Sequence, residues 1–160
     1  MNIIQSGITA ENSSIAIIIA RFNEFINKNL LLGALDTLKR IGQVHEENIL
    51  KIYVPGTYEI PTIASYIAKS GKYDAIIAIG TIIKGQTDHF KYIANDTSSS
   101  LSRISTQYFL PITLGILTTK NIEQSIERSG TKMGNKGSDA ALAALEMINV
   151  MKKLKKVIYY

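Results

Sequence analysis

The chain has 160 residues, which is long enough for one domain with a substantial core and too short for two ordinary domains, so we expect residues 1–160 to form a single domain. Apolar residues make up 46% of the chain, as is typical of globular proteins, and the absence of cysteine excludes disulfides and thiolate chemistry. The net charge of +5 includes four lysines between Lys152 and Lys156, but no nucleic-acid motif accompanies them, so we expect a solvated helix end and no nucleic-acid partner.

The N-terminal third of the chain alternates apolar runs with an amphipathic stretch. Met1–Gln5 has the pattern of a short edge strand, and Ile15–Ala20 is an uninterrupted apolar run, as in a parallel strand that is buried on both faces. Asn23 is placed to cap a helix that ends at Gly42. The apolar face predicted for this helix consists of Ile26, Leu30, Leu31, Ala34 and Leu38.

Two further strand–helix units follow. Glu47–Val54 is predicted to be a strand, and the helix after it ends near Gly71. The next strand is Ala75–Ile83, an apolar run broken by Gly80, and its helix begins near Thr87 and continues toward Gln107, although a polar middle weakens the helical pattern. The residues predicted to face the core are Ile63, Ile67 and Ala68 in the first of these helices and Tyr92, Ile93, Leu101 and Ile104 in the second.

The C-terminal region supplies the last strand and two helices. Pro111–Leu117 is the predicted strand and ends in Thr118-Thr119, after which Asn121 is placed to cap a short helix, Ile122–Ser129. Gly130–Gly137, with three glycines, is predicted to be a loop that leads to a final helix, Ala140–Lys156. The apolar side predicted for that helix consists of Ala143, Leu145, Met147 and Val150.

Strand and helix alternate four times along the chain. This pattern predicts a parallel sheet with right-handed crossovers and helices on both faces. We therefore expect a flavodoxin-like three-layer α/β/α sandwich, with a four-stranded parallel sheet plus a short N-terminal edge strand.

Neither a metal site nor a membrane segment is indicated by the sequence. The two histidines, His45 and His89, lack the ligand spacing of a zinc site. No apolar run approaches the length needed to cross a membrane, and Ile3-Ile4 is too short for the core of a signal peptide. We therefore expect a cytoplasmic protein without a metal ion and without a membrane partner.

Candidate functional residues follow the predicted strands, at the sheet edge where ligands of such folds bind. They include an aromatic ring at Phe22, a carboxylate at Glu59 and a glycine-containing turn from Lys84 to Asp88. Such a turn directs free backbone N–H groups outward and favours an anion, phosphate above all. His89, in the first turn of the helix that follows, is placed to transfer a proton near that anion.

Each candidate residue also has a purely structural interpretation. Phe22 either stacks on a flat heterocycle or packs onto the next helix as a hydrophobic staple. Glu59 either binds a ligand or favours the helix dipole, and Arg128 either neutralises phosphate or is simply solvated. Because the glycines form no Walker or dinucleotide-binding motif, the pattern favours cofactor-free proton transfer on a phosphorylated small molecule beside a planar one.

Five blocks of the sequence together resemble the signature motifs of the lumazine synthase family. The blocks are Ala20–Asn23, Val54–Pro61, Gly80–Phe90, Gly115–Thr119, and Glu127–Gly130 with Gly134–Gly137. The likeness covers nearly the whole chain, with the blocks in order and at the spacing of the family. The resemblance implies condensation of 5-amino-6-(D-ribitylamino)uracil with 3,4-dihydroxy-2-butanone 4-phosphate to give 6,7-dimethyl-8-ribityllumazine, phosphate and water, a step of riboflavin biosynthesis that needs no cofactor.

The resemblance also assigns roles to individual residues. It implies that Phe22 stacks on the pyrimidine and that His89 is the proton-transfer residue. The residues that it places along the pyrimidine and the ribityl chain are Thr57, Tyr58, Glu59, Thr81, Ile82 and Ile83. The phosphate is expected to contact Gln86, Thr87 and Arg128. Leu114 and Arg128 are expected to come from the adjacent subunit.

The sequence departs from the family pattern at four positions. Lys84 stands where arginine is frequent, Tyr58 where phenylalanine is commoner and Lys91 where an acid is frequent. Leu114 stands where phenylalanine is usual, which removes a ring from the pocket wall and affects substrate affinity more directly than the reaction class.

The resemblance implies a homo-oligomer. Family members form pentamers, some of which assemble into a hollow icosahedral shell, and riboflavin synthase is a candidate for an enclosed partner. In the family that the sequence resembles, a short loop at Gly130–Gly137 goes with the shell. The loop has the short form here, so we expect the shell. Three alternatives to the enzyme stay open on sequence grounds: a flavodoxin-like protein that binds a flavin or lumazine without turnover, a purely structural shell protein, and a nucleic-acid-binding protein that uses the basic tail.

Overall fold

The computed structural model, which describes residues 1–160, contains a central sheet of four parallel strands. The strands are β1 (Ile15–Ala20), β2 (Ile49–Val54), β3 (Ala75–Ile83) and β4 (Ile112–Thr119), in the spatial order β2-β1-β3-β4. Ile15 of β1 lies opposite Ile49 of β2 on one side and Ala75 of β3 on the other. The predicted four-stranded parallel sheet is confirmed, and the bounds of β1 and β3 agree with the sequence analysis.

Helices cover both faces of the sheet. On one face, α1 (Glu24–Asp36) and α5 (Lys136–Tyr159) enclose a core with the side chains of Ile15, Ile17 and Ile19. On the other face, α2 (Ile60–Ser70) and α3 (His89–Tyr108) enclose a second core with Ala16, Ile18 and Ala20. The three-layer arrangement is therefore confirmed. None of these helices combines the length and the apolar character needed to cross a membrane.

Helix α1 packs as its apolar pattern predicts. All five residues predicted for its core face are buried: Ile26, Leu30, Leu31, Ala34 and Leu38. The helix continues into a π-helical turn, Thr37–Ile41, and ends at Gly42. On its exposed side Arg40 donates two hydrogen bonds to Asp36, at 2.7 and 2.8 Å, and this contact holds the pKa of the Asp36 carboxyl below its usual value.

Helix α3 is continuous through its polar middle, Asn95–Ser100, where the sequence pattern was weak. Its core contacts are only partly those predicted, since Leu101 and Ile104 are buried and Ile93 is half-buried. The prediction for Tyr92 was wrong, because that side chain is 73% exposed and faces a cavity instead of the core.

The segment between the last two helices is more ordered than the predicted loop. After a short helix, α4 (Ile122–Glu127), the strands β5 (Ser129–Thr131) and β6 (Gly134–Asn135) form an antiparallel hairpin. Asn135 ends this hairpin: its Oδ1 accepts hydrogen bonds from the N–H groups of Gly137 and Ser138, and its Nδ2 donates to the carbonyl of Asn29 in α1. Gly137 packs directly on the Leu30 backbone, which leaves no room for a side chain. The start of α5 is therefore fixed on α1.

The buried face of α5 also differs from the prediction. Of the four residues predicted, only Leu145 is buried, whereas Ala143 and Met147 are exposed and Val150 is half-buried. The helix instead buries Ala140, Ala141, Ala144, Leu145 and Ile148. Small alanine side chains allow α5 to approach α1 and β4 closely, which the apolar pattern alone did not indicate.

The predicted N-terminal edge strand is absent, because residues 1–14 contain no strand. Instead, side chains of α5 bind this segment. Asn149 Nδ2 donates to the carbonyls of Gly7 and Thr9, at 2.9 Å each, and Lys153 Nζ donates to the carbonyl of Gln5 at 2.6 Å. The carbonyls accept hydrogen bonds from α5, and the segment does not pair as a strand with either edge of the sheet.

Candidate active site

Two connected cavities open at the carboxyl ends of the central strands. The main cavity has a volume of about 730 Å³ and the side recess a volume of about 260 Å³. Residues that line both are Phe22, Thr57, Thr81, His89 and Ile93. The main cavity adds Gly56, Tyr58, Glu59, Tyr92 and Asp96, and the side recess adds Asn23, Ile82, Ile83, Gly85, Thr87 and Phe90. Both lie at the sheet edge where the sequence analysis expected a ligand.

The loop after β1 presents the Phe22 ring to both cavities. The ring is 74% exposed, so it does not act as a hydrophobic staple in the core. The loop is joined to the end of β2, since the N–H groups of Arg21 and Phe22 donate to the carbonyls of Val54 and Pro55 at 2.8 and 3.1 Å. The position of Phe22 therefore favours the stacking role over the structural alternative.

A buried polar network lies behind this loop. Asn27 is 1% exposed, and its Nδ2 donates to the carbonyls of Ala20 and Phe22 at 2.6 and 2.8 Å, while its Oδ1 accepts from Thr81 Oγ1 at 2.6 Å. Asn23 Nδ2 donates to the Thr81 carbonyl at 2.8 Å. The predicted cap was wrong in this detail: Asn23 has a left-handed backbone, with φ of 66°, and makes no side-chain cap bond to α1.

The second wall is a 3-10 turn, Thr57–Glu59, at the start of α2. Thr57 is buried, whereas Tyr58 is 60% exposed and Glu59 is exposed. The methyl group of Thr57 occupies the space that a side chain at position 80 would need, so the glycine in β3 allows the turn to approach the sheet. Glu59, at the end of this turn, lines the main cavity together with residues of α3.

The turn after β3 provides the predicted anion-binding geometry. The backbone N–H groups of residues 85–88 form no hydrogen bond within the chain. Asp88 precedes the first residue of α3 without a side-chain cap bond, and Thr87 Oγ1 accepts a long hydrogen bond of 3.4 Å from the His89 N–H. Free N–H groups at a helix start attract an anion. The predicted position of His89, in the first turn of this helix, is confirmed.

Three residues that the sequence analysis assigned to the site line neither cavity. Gln86 is exposed in the turn, between Gly85 and Thr87. Leu114 lies on the edge strand β4, opposite Ala78, and is 36% exposed. Arg128 follows α4, where its Nη1 donates to the carbonyl of Gln124 at 3.1 Å and lies 3.6 Å from Glu127 Oε2.

The sequence analysis missed one whole wall of the main cavity. Tyr92, Ile93 and Asp96 lie three, four and seven residues after His89, which places all of them on one face of α3. The helical spacing from His89 was the signal that could have found them. Asn27 carried no comparable signal, because a lone asparagine in an amphipathic helix is usually solvated.

The fold and the site together define a class. This is a flavodoxin-like α/β protein with two cavities at the carboxyl ends of its parallel strands, where an exposed aromatic ring and hydroxyl groups meet a histidine and a turn with free N–H groups. Such a site suits a planar heterocycle beside an anionic group.

Comparison with known proteins identifies the family. Residues 12–152 match the model for 6,7-dimethyl-8-ribityllumazine synthase. Proteins with this name are 99% identical over 160 residues in Buchnera aphidicola subsp. Acyrthosiphon pisum (strain APS), covering all of both chains, and 80% identical over 157 residues in B. aphidicola subsp. Schizaphis graminum (strain Sg), covering 98% and 99%. A relative in Yersinia pestis (strain Pestoides F) is 55% identical over 155 residues, covering 97% and 99%.

The chain belongs to the 6,7-dimethyl-8-ribityllumazine synthase family. The enzyme class expected from the sequence is therefore confirmed. The protein is a transferase of riboflavin biosynthesis that produces 6,7-dimethyl-8-ribityllumazine in a condensation reaction.

Proposed function

We propose that the main cavity and the side recess are the active site in which 5-amino-6-(D-ribitylamino)uracil condenses with 3,4-dihydroxy-2-butanone 4-phosphate. The observation that carries this proposal is that Phe22, Thr81 and His89 line both cavities. The pyrimidine stacks on Phe22 and lies along Thr81, Ile82 and Ile83. The ribityl chain extends over Thr57, Tyr58 and Glu59 in the main cavity.

The phosphate of the second substrate occupies the turn at the mouth of the side recess. Residues 85–88 offer free N–H groups there, Thr87 lines the recess, and the exposed Gln86 amide is available from the same turn. These groups donate hydrogen bonds to the phosphate dianion in place of the water molecules that it loses on binding. No buried cation of the same chain is needed to neutralise its charge. The reacting carbons then lie between the two cavities, beside His89.

His89 transfers the protons that the condensation requires. The 5-amino group of the pyrimidine forms an imine with the ketone and releases water. Removal of the proton from the carbon next to the imine then allows phosphate to leave from the adjacent carbon, and closure of the second ring releases further water. A histidine shared by both cavities is within reach of these steps, and such assistance typically contributes about 10²- to 10⁴-fold.

A direct assay tests this assignment. The protein is mixed with both substrates, and the lumazine chromophore and free phosphate are measured together. Equal amounts of both products support the proposal. A protein that binds the pyrimidine but releases no phosphate would instead be a binder without turnover or a purely structural shell protein.

We also propose that residues 1–160 act as one domain and that each site is completed by a neighbouring chain in a homo-pentamer. Leu114 and Arg128 line neither cavity of their own chain, and both are partly exposed. A heterologous ring brings the same patch of every subunit against the cavity of the next. Arg128 then supplies a cation for the phosphate, and Leu114 covers the pyrimidine.

Subunit complementation tests the shared site. His89→Ala and Arg128→Ala chains are co-expressed, so that a cavity from one variant meets the neighbour surface of the other. We expect each variant alone to be weakened and the mixture to recover activity in up to roughly a quarter of its sites, the fraction in which both partners are intact in a random ring.

The matched control is a mixture of His89→Ala with Phe22→Ala. Both residues line the cavities of the same chain, so no arrangement of these two variants produces an intact site. Recovery in this control, or no recovery in the His89/Arg128 mixture, would contradict a site shared between chains.

A closed icosahedral shell of pentamers is our proposal for the larger assembly, with riboflavin synthase as a candidate for an enclosed partner. The short β5–β6 hairpin and the fixed start of α5 support this proposal. Light scattering and electron microscopy at neutral pH measure the assembly. Isolated pentamers across a range of protein and phosphate concentrations would refute the shell and leave the enzyme unchanged.

A further inference from the structure

A separate cavity, here called the lysine cavity, lies between the N-terminal segment and the C-terminal half of α5. Its volume is about 280 Å³, and no hydrophobic residue lines it. Its lining residues are Ser6, Gly7, Thr9, Asn149, Lys152, Lys153 and Lys156. Lys152 Nζ donates to Ser13 Oγ at 2.8 Å, just before β1 begins. The lysine cavity is therefore near the amino end of β1, whereas the two cavities of the proposed active site open at the carboxyl ends of the strands.

The three lysines of this cavity have no acidic partner, since none of them forms an ion pair with a carboxylate of the chain. Lys156 lies four residues after Lys152 and three after Lys153, so the three ammonium groups share one side of α5. Like charges at this spacing repel one another and destabilise a helix. An anion bound between them would turn this repulsion into attraction.

Hydrogen bonds hold the walls of the lysine cavity together. Lys153 Nζ donates to the carbonyl of Gln5 at 2.6 Å, and Asn149 donates to two carbonyls of the same segment. An ammonium group has three donors, so Lys152 and Lys153 each keep two after these contacts. Lys156 forms no hydrogen bond within the chain and keeps all three.

The N-terminal wall adds further donors without partners. Ser6 Oγ is buried and has no hydrogen-bond partner within the chain. The backbone N–H groups of residues 6–9 also donate no hydrogen bond within the chain, although the carbonyls of Gly7 and Thr9 are engaged by α5. A buried hydroxyl without a partner is uncommon in folded proteins and calls for a partner from outside the chain. This observation is independent of the lysine charges.

We propose that the lysine cavity binds a small anion with two or more phosphate charges. Ammonium groups, a hydroxyl and free N–H groups all donate hydrogen bonds to phosphate oxygens. The volume leaves room for such an anion with part of its hydration water. A concave site with three cations on little more than one helical turn suits a small anion, whereas nucleic acid requires an extended basic surface. The bound anion fastens the N-terminal segment onto α5.

Hydrogen–deuterium exchange of the full chain, with inorganic pyrophosphate as the probe, tests this proposal. Pyrophosphate should slow amide exchange in peptides that cover residues 5–9 by roughly three- to tenfold, because their free N–H groups gain an acceptor and the segment is held on α5. Sodium chloride at the same ionic strength controls for screening of the lysines. Equal protection by sodium chloride, or no protection at saturating pyrophosphate, would overturn the proposal.

Lys156→Gln removes one ammonium group from the lysine cavity without breaking a hydrogen bond of the chain. The apparent Kd for pyrophosphate, taken from the protection of residues 5–9, should rise by roughly five- to twentyfold. Lys155→Gln is the matched control, because it removes an equal charge from the adjacent residue, which does not line this cavity. Its Kd should change by less than about twofold. Equal losses in both variants would show attraction to the net charge alone and would overturn the proposal.

The same experiment keeps this site apart from the proposed active site. Peptides that cover residues 85–88 report on phosphate at the turn after β3, so protection there without protection of residues 5–9 would overturn the lysine cavity and leave the proposed function intact. The steady-state activity of Lys156→Gln should equal that of the wild type, since the lysine cavity shares no residue with the main cavity or the side recess.

Discussion

Two regions of the molecule differ in whether their side chains line the cavities of their own chain. One is the loop region around Phe22, and the other is the β4–α4 region around Leu114 and Arg128. In the first region, Asn27 and Thr81 satisfy each other and the neighbouring carbonyls inside the chain, and the exposed side chains surround one cavity. In the second, Leu114 and Arg128 are partly exposed and line neither cavity. In the proposed pentamer, one chain therefore prepares half of a site in full and presents the other half to a neighbour.

The strands that carry these regions differ in the same way. All six residues of β1 are buried, so its end is held rigidly between two layers. Strand β4 lies at the sheet edge, and Leu114 and Thr118 on it are exposed. A rigid strand end suits a cavity that must keep its shape, whereas an exposed edge suits contact with another chain.

The largest effect should come from His89, the histidine of the first region that lines both cavities. We expect His89→Ala to lower kcat by roughly ten- to ten-thousand-fold, at most about 5 kcal/mol of transition-state stabilisation. The lower part of this range is expected, because the reaction has appreciable intrinsic reactivity. Steady-state assays with both substrates measure the effect, and an unchanged kcat would remove the proton-transfer role.

The next effect concerns the buried network. Asn27→Ala removes a buried hydrogen-bond partner from the Thr81 hydroxyl and from two carbonyls, so we expect a loss of about 3 kcal/mol in the free energy of unfolding and a higher KM for the pyrimidine alone. Chemical denaturation and kinetics measure these two changes.

Ser125→Ala is the control for that experiment, because it removes a buried hydroxyl that bonds Thr119 Oγ1 at 2.6 Å in the β4–α4 region. It should cost about 1 kcal/mol and leave the KM for the pyrimidine unchanged. A rise in both KM values for Asn27→Ala would show that the network supports general stability only.

Arg128→Ala should act on the other substrate. It removes the charge-assisted phosphate contact that we propose for this side chain, worth roughly 2 kcal/mol, so we expect the KM for the phosphorylated butanone to rise by about ten- to hundredfold. Lys132→Ala, at the exposed tip of the β5–β6 hairpin that follows Arg128, removes an equal charge and should change little. An effect confined to the pyrimidine would contradict the assignment.

Leu114→Phe should produce the smallest change, in the favourable direction. The substitution adds an aromatic ring at this position, and one added aromatic contact contributes about 1 kcal/mol. We expect the KM for the pyrimidine to fall by a few-fold, with kcat little changed. A melting temperature measured in parallel checks that the larger side chain is accommodated at the exposed edge.

The sequence was most informative where burial and backbone geometry act locally. The strands Ile15–Ala20 and Ala75–Ile83 were predicted with the bounds that the structure shows. Each is an almost wholly apolar run, interrupted in the second strand only by Gly80 and Thr81, and such a run is expected to be buried on both faces of the sheet. The unpaired N–H groups of the turn after β3 and the position of His89 in the first turn of α3 followed from the glycine and the helix start after β3. In both cases a few consecutive residues contained the whole signal.

Features that depend on contacts between distant parts of the chain were not predictable. The buried face of α5 depends on how closely its alanines approach α1, and the N-terminal segment depends on Asn149 and Lys153, more than 130 residues away. The role of Asn27 depends on Thr81 across the sheet. No local pattern contains this information, since each contact is decided by the packing of the complete fold.

The asparagine at the base of the β5–β6 hairpin has a consequence for how this chain tolerates evolutionary change. Asn135 binds α1 and the first turn of α5 at once, so an extra residue after it would separate those contacts and shift the whole final helix. An extra residue between Lys132 and Met133, both exposed at the hairpin tip, would lengthen the hairpin and leave that junction in place. Insertions that lineages accept in this segment should therefore accumulate at the tip, and the base should keep its length.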